Sequence, residues 1–210
     1  MLEDPIKLDI EIDVGTLSRS GVVNWEGVQD ALTLIASQYV DAFGRLHRRK
    51  KFYGFAFGCN TRYGEVGVYA NTMASLKSTA AEYKKRSPKI YSGKTISELQ
   101  LKLRWSFGDW EFQQYNTDGF NEAWNPVGAF LTSSFPEFDI QNQEKCEQLI
   151  REFEDSFMET VCRSMVDLES QGILTALSRE DDFKTFVANH DELDETSRDR
   201  LEKARNRAKE

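Results

Sequence analysis

The sequence predicts an α+β protein: a small, mainly antiparallel sheet packed with several helices, one of them long and in the C-terminal half. Three observations predict it. Phe52–Cys59 and Glu65–Ala70 are apolar runs joined by a short loop containing Gly64, the pattern of a hairpin. Residues 25–47 and 141–172 repeat apolar positions at intervals of three and four, the period of a helix with one buried face. The 210 residues are 40% hydrophobic and 30% charged, which suits a globular domain and excludes collagen-like, wholly disordered and disulfide-built chains.

The elements follow in order. Ile6, Leu8, Ile10, Ile12 and Val14 alternate with charged residues, predicting a half-buried strand or a charge-guarded edge strand. Asn24 is a good N-cap for a helix over Trp25–His47, with Val28, Leu32, Ile35, Tyr39, Phe43 and Leu46 on one face. Arg45, His47, Arg48, Arg49, Lys50 and Lys51 crowd its end. Cations there complement the helix dipole, and they also suit phosphate or an acidic partner. In the next strand Tyr53, Phe55, Phe57 and Cys59 share one face, while Phe52, Gly54, Ala56 and Gly58 share the other. The small residues invite close approach by another backbone, such as a helix. After the return strand, Asn71 and Thr72 cap a helix to about Arg86, with Met73, Leu76, Ala80 and Tyr83 as its stripe. Ser87-Pro88 ends it.

Leu99, Leu101, Leu103 and Trp105 alternate with polar residues, predicting a third strand. Aromatic residues dominate from there: Phe107, Trp110, Phe112, Tyr115, Phe120, Trp124, Phe130, Phe135 and Phe138. Base stacking would call for interleaved cations. Lys102 and Arg104 are the only ones between Leu99 and Phe138, so these rings are core or partner-facing. In the long helix over Gln141–Gly172, Cys146, Leu149, Ile150, Phe153, Phe157, Val161, Ser164 and Leu168 fall on one side. Glu144, Gln148, Arg151, Glu152, Asp155, Glu159 and Cys162 fall on the other. Ile173–Leu177, Phe183, Phe186 and Val187 supply a last apolar strip. The reading is one domain over 1–193 and a charged helical or frayed tail over 194–210.

Charge and motif bound the function. The chain carries a net −8, yet between Glu137 and Asp182 thirteen acids meet four bases, so that segment alone holds −9. Like charges at helical spacing, Asp155 and Glu159 among them, cost a few tenths of a kcal/mol. A helix that carries them presents either an acidic stripe for a basic partner or a well-hydrated face. Phosphate-loop, dinucleotide, zinc-protease and nucleophile-elbow motifs are missing. Two histidines and three scattered cysteines make neither a His-rich nor a CxxC metal site, and Cys146 and Cys162 stand about 24 Å apart on one helix, beyond disulfide reach. Cys59 with His190 remains a conceivable dyad. Glu154-Asp155, Glu180-Asp181-Asp182 and Asp191-Glu192 read as solvated carboxylates. The expectation is no enzyme, no metal and no cofactor. With an acidic start lacking a signal-peptide run and no run of about 18 apolar residues, the chain reads as cytoplasmic, with no nucleic-acid or membrane partner.

Phe52-Tyr53-Gly54-Phe55-Ala56-Phe57, Gly67-Val68-Tyr69-Ala70-Asn71-Thr72 and Leu103-Arg104-Trp105-Ser106-Phe107-Gly108-Asp109-Trp110 resemble, in this order, a bacterial family of proteins of about this size. Asp181-Asp182-Phe183 and Val187-Ala188-Asn189 are similar to its C-terminal part. The resemblance spans roughly Trp25 to Asp191. That family is associated with immunity loci of polymorphic toxin and secretion systems, so the resemblance implies an immunity protein that binds and neutralises a cognate secreted toxin, a type VI effector or a nuclease being among the candidates. It carries no catalytic residues. The candidate partner-binding residues are Glu144, Glu152, Asp155, Glu159, Trp110 and Trp124. The alternatives are an interaction module without a toxin, and a small enzyme with a Cys/His or carboxylate site assembled by the fold.

Overall fold

The computed structural model describes residues 6–113, 117–137, 140–190, 192 and 194–210. Among the features named above, Tyr115, Phe138, Asp191 and residues 1–5 lie outside the described residues, as does Asp139, one of the thirteen acids. The chain starts extended. Ile6, Leu8, Ile10 and Ile12 pack on the core while Lys7, Asp9, Glu11 and Asp13 are exposed. The alternation is therefore real, but it makes no strand, which corrects the expectation for residues 6–14. A period of two sorts side chains; only a neighbouring backbone makes a sheet. A 3₁₀ turn at Val14–Leu17 then leads to a minimal ribbon of β1 (Ser18–Arg19) and β2 (Val22–Val23).

Helix α1 (Trp25–Leu46) begins where the Asn24 side chain accepts from the Gly27 N–H. Val28, Leu32, Ile35, Tyr39 and Phe43 are buried as the spacing predicts. Leu46 is exposed, and His47 is buried in its place, its ring against Phe43 and Phe112. β3 (Phe52–Asn60) and β4 (Glu65–Thr72) form the hairpin, turning at Gly64 with φ 59°.

β3 carries a bulge, since Phe52 pairs with Thr72 but Gly54 with Asn71. The extra residue shifts the alternation. Phe52, Phe55, Phe57 and Cys59 face the larger core, and Tyr53 joins Ala56 on the other side, away from the Phe55 face where simple alternation puts it. Gly54 and Gly58 are not approached by a helix backbone. The rings of Trp110 and Tyr69 lie on them, so close that an added Cβ would stand 2.5 Å from a ring carbon at either position.

Thr72 caps α2 (Met73–Arg86) through the Ser75 N–H, and Pro88 opens the short α3 (Pro88–Tyr91). The strand expected over Leu99–Trp105 is a helix, α4 (Ile96–Leu103). Thr95 and Glu98 form a capping box at its start, which satisfies two orphan N–H groups and commits the segment to helix. Leu99 turns inward while Leu101 is 72% exposed. α5 (Asp118–Ser134) buries Phe120, Trp124, Val127 and Leu131. α6 (Gln143–Ser170) is the long helix, followed by Gly172 with φ 70°.

β5 (Arg179–Asn189) runs parallel to β3 and completes the order β4-β3-β5. The apolar strip at Phe183, Phe186 and Val187 belongs to this strand. α7 (Asp194–Arg207) closes the chain. Helices α1, α5 and α6 cover one face of the sheet; α2, α4, Trp105 and Trp110 cover the other. The fold is thus α+β, with small sheets in which β3–β5 is the parallel pairing, and a 28-residue α6.

Candidate functional site

The acidic stripe of α6 is divided by the fold. Glu144, Glu152 and Asp155 are exposed on its first half, with Leu149 exposed among them at 43%. Gln148 donates to Glu152 at 2.7 Å. Among the described residues none of the three carboxylates has an ion-pair partner within 4.0 Å. Glu159, on the second half, is half-buried and takes both Arg163 and Arg207. Cys162, expected on the solvated face, is buried, and burial pushes its thiol up to about 12. The cause is α7, whose Leu201 and Ala204 join the core against α6.

Charge holds α7 there. Arg205 Nε donates to Glu169 Oε2 at 3.0 Å and Nη2 to Oε1 at 2.7 Å; Nη2 also reaches Thr185 Oγ1 at 2.6 Å. Arg200 grips Glu192 through two nitrogens at 2.7 and 2.9 Å, and Ser197 donates to the same carboxylate at 2.6 Å. Bidentate guanidinium–carboxylate pairs are the strong kind. Much of the charge on the second half of α6 is thus answered by the chain's own C-terminal arginines.

Burial pulls the Glu192 carboxyl upward, but the Arg200 and Ser197 hydrogen bonds outweigh it and hold the group below the usual carboxylate range. A folded pKa below the unfolded one means this contribution is present above about pH 4.3 and fades as pH falls through the folded value. As pH falls through that folded value, the first turns of α7 are therefore expected to loosen before the sheet unfolds. Hydrogen exchange of residues 196–200 along a falling pH series checks it; protection that persists until the sheet itself unfolds would refute it.

Trp110 and Trp124 lie in the core. Trp110 is 2% exposed and its Nε1 donates to the Arg104 carbonyl at 3.1 Å. Trp124 is 3% exposed and donates to the Gly64 carbonyl at 2.9 Å. Neither ring can touch a partner without opening the fold, which removes both from the candidate surface. Trp105, Phe112, Phe120, Phe130 and Phe135 of the same run are likewise in the two cores or packed on them.

The strand pairing puts His190 beside Cys59, its N–H donating to the Cys59 carbonyl at 2.7 Å. The side chains diverge: Cys59 belongs to the core and His190 is exposed. Burial, with Cys162 adding to it, raises the Cys59 thiol well above its ordinary value, the opposite of what a thiolate nucleophile needs. Among the described residues no three His, Cys, Asp or Glu side chains converge in a metal-sized group, and no helix is long and apolar enough to cross a membrane. The basic end of α1 borders a cavity of about 520 Å³ at the start of α2, but Lys50 pairs with Glu111 and Lys51 with Glu180.

A groove of about 770 Å³ lies between β5 and α7. Every residue from Phe183 to Ala188 lines it, with Trp105 from the face that α2 and α4 cover, Leu174 and Leu201 from the larger core, and Arg198 and Arg205 of α7. The one available sequence signal was the Phe183–Val187 strip; nothing in it indicated an edge strand, because its parallel partner lies far away in the chain.

Residues 32–205 match the family described as a domain of unknown function, DUF4303. The chain belongs to this family. None of the curated proteins matches it, and none of the solved structures does. The DUF4303 span runs from within α1 to within α7. It includes the three-stranded sheet, α6 and the groove, and excludes the extended N-terminal segment. It also takes in most of α7, which lies beyond the span of the sequence resemblance.

Proposed function

We propose that this DUF4303 protein is a cytoplasmic immunity protein, which neutralises a cognate secreted antibacterial toxin by protein–protein contact. The observation that carries this reading is the exposed first half of α6. There Glu144, Glu152 and Asp155 make no ion pair within 4.0 Å among the described residues, Asp155 lying only in the wider field of Arg200, while the second half is covered by α7. A surface that keeps unneutralised like charges on one helix suits a basic partner, and gains association rate from long-range attraction. The resemblance to proteins of toxin-immunity loci supplies the class of partner. The buried Cys59 with its raised pKa supports binding over thiol catalysis.

The test is the double charge reversal E152K/D155K against the protein encoded beside the gene. Both side chains are exposed, so the fold is expected to hold. Affinity should fall at least about tenfold, chiefly through a slower on-rate, with a shallower salt dependence, and protection of growth should weaken with it. Unchanged affinity and salt dependence would remove α6 from the interface; failure of the wild-type chain to bind or protect would remove the immunity reading.

A further inference from the structure

We infer that the groove beside β5 is a docking site for an extended acidic peptide, which adds to the sheet as a fourth strand. The inference is independent of the α6 surface and opposite to it in charge.

β5 is an edge strand in the order β4-β3-β5. In a parallel pairing, alternate residues turn their N–H and C=O toward the partner strand and the others turn them away. Among the described residues no backbone group bonds to that outer side; the flanking bonds, Phe52 N–H to Ser178 and His190 N–H to Cys59, both tie the segment to β3. The six residues 183–188 all line the groove. Successive residues of a strand point to opposite faces, so a cavity that meets six in a row runs along the edge itself. Six residues of strand extend about 20 Å, a length suited to a peptide, and the volume of about 770 Å³ lies in the usual range for bound ligands.

The walls define the guest. Arg179, Lys184, Arg198 and Arg205 border the groove against Glu169 and Glu202, and both of those carboxylates already belong to Arg205. Arg179, Lys184 and Arg198 make no ion pair among the described residues. The result is a cationic trough on a chain of net charge −8. A single lysine on an edge strand only guards it against self-association. Here Lys184 is held 5.3 Å from the centre of the Trp105 ring and Arg179 5.5 Å from that of Phe183, at the rim of a cavity with Arg198 on its α7 wall. A strand added to β5 would place alternate side chains along that rim and alternate ones toward Leu174 and Leu201. The matching sequence alternates acidic and aliphatic residues, with main-chain bonds giving affinity and the pockets giving selectivity.

Fluorescence anisotropy tests this with three labelled peptides of about nine residues: alternating glutamate and valine, alternating lysine and valine, and the glutamate peptide N-methylated at alternate residues. The glutamate peptide is expected to bind with micromolar affinity and to slow hydrogen exchange within residues 183–188. The lysine and N-methylated peptides should bind at least about tenfold more weakly. K184E and R198E, both at exposed positions, should each weaken the glutamate peptide several-fold while circular dichroism stays unchanged. Absence of binding, equal binding of the N-methylated peptide, indifference to both charge reversals, or equal displacement by free citrate would each overturn the proposal.

Discussion

Trp110→Ala is expected to lower the folding free energy by about 3–5 kcal/mol, the cost of deleting a large buried aromatic side chain. The ring lies on the Gly54 backbone, meets Tyr53 edge-on at 5.7 Å and Phe186 at 6.3 Å, and donates to the Arg104 carbonyl. Its loss leaves a cavity beneath the bulge of β3 that the rigid strand cannot collapse to fill. Urea denaturation measures the loss. A loss below about 1 kcal/mol would mean that the ring is a surface group after all. A second variant ties the effect to this contact. Gly54→Ala puts a methyl 2.5 Å from the Trp110 ring and should destabilise the wild type, yet it should cost much less once Trp110 is alanine. Such coupling between touching groups is what a double-mutant cycle detects.

Gly64→Ala is expected to cost about 2–4 kcal/mol, from two sources that add. Gly64 has φ 59°, a conformation that strains a residue bearing Cβ by about 1 kcal/mol or more. The added Cβ would also stand 2.4 Å from the Gly128 carbonyl oxygen and 3.0 Å from Leu131 Cβ. These are groups of α5, which clasps the turn through Trp124 on the Gly64 carbonyl and Thr132 on the Tyr63 carbonyl, at 2.9 and 2.8 Å. The methyl group must therefore lift α5 from the hairpin or distort the turn. Asparagine separates the two sources, because it tolerates positive φ but still carries Cβ. G64N should remain nearly as destabilised as G64A in thermal unfolding, with faster hydrogen exchange in α5. Recovery to wild-type stability in G64N would show that the clash with α5 is relieved without cost.

How far the fold can be read from the chain depends on where each element finds its partners. α1, the β3–β4 hairpin, α2 and α6 are stabilised by signals that lie within or beside them: Asn24 and Thr72 as caps, Gly64 at the turn, and stripes at helical spacing. α4 carried its own signal as well, in Thr95 and Glu98. The alternation of Leu99, Leu101 and Leu103 masked it, because Leu99 and Leu103 also stand at helical spacing. Ile6–Ile12 misled for the opposite reason: the pattern is that of a strand, and among the described residues no strand pairs with it. β5 and the burial of Cys162 depend on contacts between distant parts of the chain, so neither could be read locally. The same holds for the candidate surfaces. Glu152 and Asp155 were legible as an exposed face, whereas Trp110 and Trp124 could be assigned to the core only once their packing was known.

The parallel pairing of β3 with β5 bears on how the molecule is made. Gly54 sits beside Lys184 and Cys59 beside Asn189, so the central strand gains its second neighbour only after residue 189, some 130 positions later, has been synthesised. Until then the nascent protein can form the β3–β4 hairpin and fold α1 against it, but the backbone edge of β3 that β5 will occupy stays open. Contacts so far apart in sequence slow folding, and an unpaired apolar strand is the part of an unfinished chain most prone to aggregate. A C-terminal truncation before residue 179 would hold the protein at that stage, a natural client for a chaperone.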